Sequence, residues 1–136
     1  MNIDRLKSDH NAIMNSVTEL RGLIKEGVET STDKIAGVIV DMTGKIKLHL
    51  YSEDGVLYPV MMRSSNAKAA EMSRAYQSEM GAITNAYVAY AGKWNVGKVI
   101  AADVEGFRAE SEAVFKALHQ RIQRENTELY PLAEQL

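Results

Sequence analysis

The chain predicts an all-α fold, an antiparallel up-down four-helix bundle, on three observations. Apolar residues recur in steps of three and four along four segments. The composition is rich in Ala, Leu, Lys and Glu, with seven Met and only two Pro, which favours helix throughout. No segment alternates apolar and polar residues as a half-buried strand does.

The first stripe is Ile3, Leu6, His10, Ile13, Val17, Leu20 and Ile24. Gly27 and the polar run Glu29-Thr30-Ser31-Thr32-Asp33 end that helix and cap the next. The second stripe is Ile35, Ile39, Met42, Ile46, His49, Glu53, Val56 and Val60, closed by Ser64-Ser65-Asn66. The third is Met72, Tyr76, Met80, Ile83, Tyr87 and then Tyr90 or Trp94, with Gly92, Lys93, Asn95 and Gly97 as the following turn. The last runs Ile100, Val104, Phe107, Ser111, Val114, Leu118, Arg121 or Ile122, Glu125, Leu129 and Leu132. Short connections make sequential helices antiparallel neighbours. Glycines within these segments (Gly22, Gly37, Gly44, Gly81, Gly106) weaken local propensity, so packing must hold the helices.

A length of 136 residues suits one domain, 1–136, with a core of its own. With no cysteine, disulfides, thiolate metal sites, iron–sulfur clusters and thiol catalysis are excluded. A net charge of −2 with both signs interspersed offers no basic field for nucleic acid or anionic lipid. No apolar run approaches a membrane span, and the charged, amphipathic start is unlike a signal peptide. A soluble cytoplasmic protein is the expectation, with no nucleic-acid or membrane partner.

One heptapeptide occurs twice. Glu53-Asp54-Gly55-Val56-Leu57-Tyr58-Pro59 returns as Glu125-Asn126-Thr127-Glu128-Leu129-Tyr130-Pro131, a shared Glu-(Asp/Asn)-x-x-Leu-Tyr-Pro pattern holding both prolines of the chain. Four residues before each Glu stands a bulky polar residue, His49 in one copy and Arg121 in the other. Residues at i and i+4 share a helix face, so each copy projects a polar pair from one side.

The stripes turn His10, His49, Glu53 and Glu125 inward from three different helices. Ionised carboxylates inside a bundle are costly unless paired or bound to metal. Two imidazoles and two carboxylates converging between helices form a borderline-to-hard divalent site, and bundles commonly build such sites from His and Glu. His49 and Glu53 would grip an ion from one helix; His10 and Glu125 would close the site.

On these residues the chain resembles the hemerythrin-like, cation-binding four-helix bundle family over essentially its whole length. The resemblance rests on Asp9-His10, on His49-x-x-x-Glu53 leading into Leu57-Tyr58-Pro59, and on Glu125 leading into Leu129-Tyr130-Pro131. It implies a non-haem iron centre with carboxylates bridging two irons, and oxygen binding, oxygen or redox sensing, or the handling of iron and nitric oxide. Two positions depart from the family pattern. The third helix has Met80 after Glu79 where a His is usual, and the fourth has Arg121 where a His precedes the Glu. A thioether is a soft, weak ligand for hard iron, and a guanidinium does not ligate. What remains is one half-site, His10, His49, Glu53 and Glu125, for a single iron or zinc ion, with dioxygen or another small diatomic as the implied partner. Arg121 supplies a charge where the second ion would sit. In the alternative the bundle is metal-free, an interaction or small-ligand module in which Arg121 pairs with Glu53 and Glu125.

Other residues have plainer expectations. His119 precedes Glu125 by six residues, about 120° away around an α-helix, and reads as a surface histidine. Met80, Met42 and Met72 read as core filler, and Met80 fits the inward stripe better than Glu79. In the Leu-Tyr-Pro tails, Leu packs, Tyr anchors and Pro distorts or ends the last turn, with the Tyr58 and Tyr130 hydroxyls long enough to support a site. Asp9 reads as a supporting or surface residue. No nucleophilic triad, phosphate loop or haem-specific spacing is present, so an enzyme is the weakest of the function classes.

Overall fold

The computed structural model describes residues 2–136, which form a helical bundle without strands among them. α1 (Ile3–Gly27) is capped by the Asn2 side chain, which accepts from the Arg5 amide at 3.0 Å. It stops at Gly27, whose φ of 134° no L side chain adopts comfortably. A short 3₁₀ turn (Val28–Thr30) leads into α2 (Thr32–Ser52). A π-helical segment (Glu53–Leu57) then joins α2 to α3 (Tyr58–Met62) without a break in the rod.

α4 (Ala67–Trp94) follows, with Asn66 accepting from the Ala69 amide. The fourth predicted helix is divided into α5 (Gly97–Ala102) and α6 (Val104–Arg124). The cause is Asp103, whose side chain accepts the Gly106 amide at 3.0 Å and starts a new helix there. Gly97 is demanded by packing, since a Cβ there would lie 3.0 Å from the Asp33 backbone nitrogen of α2. A second π segment (Glu125–Leu129) joins α6 to α7 (Tyr130–Glu134).

The two π segments coincide with the two copies of the repeat. Pro59 and Pro131 carry no N–H, and in an α-helix each ring would strike the carbonyl four residues back. Widening the preceding turn by one residue relieves both problems, so the Tyr58 and Tyr130 amides bond the Glu53 and Glu125 carbonyls five residues back. The shift corrects one predicted stripe. Val56 is 51% exposed, and Leu57 faces the core instead, followed by Met61 in place of half-buried Val60.

The apolar interior consists of two clusters. One gathers Ile13, Val17, Leu20, Ile35, Ile39, Met42, Ile46, Tyr87, Trp94, Phe107, Phe115 and neighbours. The other gathers Ile3, Leu6, Leu57, Tyr58, Met61, Tyr76, Leu129 and Tyr130. Along the chain, His10 lies between Leu6 and Ile13, His49 between Ile46 and Leu57, and Glu125 between Ile122 and Leu129. A thin polar layer therefore separates two dry ones. Two buried tyrosine hydroxyls are satisfied by reaching across helices: Tyr87 donates to the Ile39 carbonyl at 2.8 Å, and Tyr90 pairs with Ser111 at 2.7 Å.

Candidate metal centre

The polar layer brings together all four side chains singled out by the sequence. His10, His49, Glu53 and Glu125 are buried, each at most 1% exposed, and one ligand-type atom from each lies within 4.8 Å of the others. His10 Nε2 is 2.7 Å from Glu125 Oε1, and His49 Nε2 is 3.4 Å from Glu53 Oε2 and 3.6 Å from Glu125 Oε1. Helix placement explains the convergence. His49 and Glu53 sit one turn apart where α2 passes into its π segment, and Glu125 opens the equivalent segment after α6.

Both imidazoles are oriented from behind. The Nδ1–H of His10 donates to the Asn126 side-chain oxygen at 2.8 Å, and that of His49 to Asp9 Oδ2 at 3.1 Å. Each Nε2 is thereby left facing the centre, the arrangement in which ligating histidines are usually held. Asp9 thus takes the supporting place expected for it. Asn126 was not anticipated; its position directly after Glu125 in the repeat was the available signal.

Tyr130 was read as an anchor, yet its hydroxyl lies in the middle of the group. The oxygen is 2.9 Å from Glu53 Oε2, 3.1 Å from His10 Nε2, 3.4 Å from His49 Nε2 and 3.5 Å from Glu125 Oε1. In an α-helix Tyr130 would point about 140° away from Glu125. The π turn spends five residues on roughly one revolution and swings it onto the same side. The proline one residue after Tyr was the sequence signal for this.

The other half of the layer is closed by Arg121, which is 2% exposed. Its Nε donates to Glu125 Oε2 at 3.1 Å, Nη1 to Glu79 Oε2 at 3.1 Å, and Nη2 to the Tyr58 hydroxyl at 3.1 Å and the Tyr76 carbonyl at 2.6 Å. The guanidinium also lies over the Tyr76 ring, 4.3 Å from its centroid. Its acidic partners are thus Glu125 and Glu79, and no hydrogen bond or ion pair joins it to Glu53, the pairing expected of a metal-free core. The reason is that Glu53 is turned to His49 and Tyr130 on the opposite side of the layer. Glu79 is half-exposed and shared between Arg121 and Arg124, so it does not enter the donor group. Met80 is packed in the core as filler, and His119 is exposed.

The electrostatics of the layer set burial against neighbouring charges. Burial opposes charge on His49, but its hydrogen bonds to Glu125 and Glu53 outweigh that and push its pKa up to about 10. Burial opposes charge on Glu125 as well, which raises its pKa, yet the hydrogen bonds from His10 and His49 and the His10 and Arg121 charges hold it below the usual carboxylate range. Glu53 is raised by burial, only partly relieved by His49. Tyr130 is raised by burial and then by the Glu125 and Glu53 charges, so without a cation its phenol keeps its proton.

Glu53 Oε1 leaves an acceptor open to a cation. It is buried and has no hydrogen-bond partner, one of two such side-chain atoms among the described residues, the other being Thr84 Oγ1. An orphaned carboxylate oxygen in a dry layer costs on the order of 1–3 kcal/mol or more. Two imidazoles turned inward by their Nδ1 bonds, with two carboxylates beside them, form a donor set suited to iron or zinc.

A family model described as the hemerythrin HHE cation binding domain matches residues 1–133. No curated protein and no solved structure matches the chain. Among the described residues, no helix is long and apolar enough to cross a membrane.

Proposed function

We propose, for a chain that belongs to the hemerythrin HHE cation-binding domain family, that His10, His49, Glu53 and Glu125 hold one non-haem ion as the single domain's resident cofactor. The observation that carries this is the inward convergence of the four donors beside an orphaned Glu53 oxygen. Iron is the favoured ion and zinc the alternative, because imidazole and carboxylate together suit both. When bound, such an ion supplies Lewis acidity and, for iron, a one-electron couple; the chain's own residues bind and orient it. Asp9 and Asn126 keep the His49 and His10 Nε2 atoms presented, and the two apolar clusters exclude water.

Arg121 stands where a second ion would lie. Its bond to Glu125 Oε2 occupies the oxygen that a bridging carboxylate would turn to that ion, and its charge takes the ion's place. A one-ion centre of this kind suits oxygen or redox sensing, or iron handling, better than reversible oxygen carriage by an iron pair. The arrangement underlying it is an antiparallel up-down four-helix bundle. Supporting that are the pairing of His10, early in α1, with His49, late in α2, and the bond from Tyr87, late in α4, to Ile39, early in α2.

Elemental analysis of protein purified without added metal tests the proposal: about one iron or zinc per chain is expected. Metal-free protein that also takes up neither ion on addition would favour the second reading, a metal-free bundle that acts as an interaction or small-ligand module. That reading draws on the Arg121 network, in which the guanidinium already neutralises Glu125 and Glu79.

A further inference from the structure

We propose that the phenolic oxygen of Tyr130 is a fifth donor to the ion held by His10, His49, Glu53 and Glu125. The inference rests on the one-ion reading above and adds to it a ligand of a different chemical type.

The geometry is that of one coordination shell. Ligand atoms held about 2.0–2.2 Å from one ion lie roughly 2.8–3.6 Å from their neighbours in that shell. The Tyr130 oxygen meets all four donor side chains at 2.9, 3.1, 3.4 and 3.5 Å, inside that range every time. A packing tyrosine needs one hydrogen-bond partner for its hydroxyl. This one faces four, each of them a metal-ligand type.

Charge points the same way. With Glu79 counted beside Glu53 and Glu125, a divalent ion and the Arg121 guanidinium are balanced, and a trivalent ion leaves one positive charge that a phenolate at Tyr130 cancels. Ligation replaces the Tyr130 O–H bond with an O–metal bond and releases that proton to solvent, and no electron moves. The cation reverses the influence of the neighbouring carboxylates on the phenol.

The repeat supplies an internal control. Tyr58 occupies the position of Tyr130 in the first copy and is equally buried, but its hydroxyl accepts from Arg121 Nη2 at 3.1 Å. It faces the guanidinium, where no ion is expected, so one π segment presents a ligand and the other a partner for arginine.

Titrating the metal-free protein with zinc, and separately with ferric iron supplied as its citrate complex, tests this. Metal content is measured on the same samples. Ion binding to wild type is expected to give a tyrosinate ultraviolet difference band with zinc and a visible phenolate-to-iron(III) charge-transfer band with iron. Tyr130→Phe should abolish both bands and weaken zinc binding about 10–100-fold, while Tyr58→Phe keeps the bands. Wild type holding one ion per chain with neither band would overturn the Tyr130 assignment alone, as would bands that survive in folded Tyr130→Phe. Wild type that takes up no ion would overturn the one-ion reading and this assignment together. The wild-type spectra decide the matter even where Tyr130→Phe fails to fold.

Discussion

Arg121 Nε lies 3.1 Å from Glu125 Oε2, four residues along the same rod, in the place where His49 stands to Glu53 at 3.4 Å. The two copies of the repeat thus offer the same scaffold to opposite ends: an imidazole–carboxylate pair in one, a guanidinium–carboxylate pair in the other. The first pair can ligate and the second can only compensate charge.

If Arg121 fills the place of an ion, Arg121→His restores an imidazole four residues before Glu125 and frees that carboxylate to bridge. Metal content is expected to rise from about one to about two ions per chain under iron excess. A count that stays at one or below leaves the placement of Arg121 without support.

Arg121→Leu removes the cation but leaves Glu125 and Tyr58 buried. Breaking a buried pair from one side costs about 3–5 kcal/mol, so the denaturant midpoint of the metal-free protein should fall steeply. Leu replaces only the aliphatic stem, so the space left by the buried guanidinium adds to the loss. An unfolding free energy within about 0.5 kcal/mol of wild type, the scale of an ordinary surface substitution, would mean the network contributes little.

The fold was legible to the extent that periodicity dictates burial. The stripes through Ile13, Val17 and Leu20, and through Ile35, Ile39, Met42 and Ile46, fall in the core as their spacing requires. Two features were not legible from a 3.6-residue period. The helix break at Asp103 comes from a capping bond, and the displacement of Val56 by Leu57 comes from a π turn that prolines impose. The same turn explains the uneven reading of the site. His10, His49, Glu53 and Glu125 lie in helical phase and could be found by counting. Tyr130 is in phase only once its turn is widened, and Asn126 reaches His10 across 116 positions of sequence.

Binding should depend on pH through His49. In the ion-free protein its pKa of about 10 lies above the ordinary histidine value of 6.5, so it is protonated at neutral pH and must lose that proton to ligate. Apparent affinity should therefore rise with pH, about tenfold per unit for each proton released, and level off for this group as pH passes its pKa. Calorimetry in buffers of different ionisation enthalpy reports the protons set free. Zinc uptake with no proton release at pH 7 would contradict a protonated His49.

The orienting bonds behind the imidazoles predict a graded effect. Asp9→Asn weakens the hold on the His49 ring, and Asn126→Ala removes the acceptor for His10. Each should lower zinc affinity about 10–100-fold while stoichiometry at saturation stays at one. Unchanged dissociation constants for both variants would mean the rings need no support from outside the donor group.

Anomalous diffraction at the absorption edge of the bound metal, from crystals of the loaded protein, tests the central claim most directly. A single peak within bonding distance of His10 Nε2, His49 Nε2, Glu53 and Glu125 is predicted, with none beside Arg121. A peak elsewhere, a bridged pair of peaks with Arg121 turned away, or no peak in protein that carries metal in solution would contradict it.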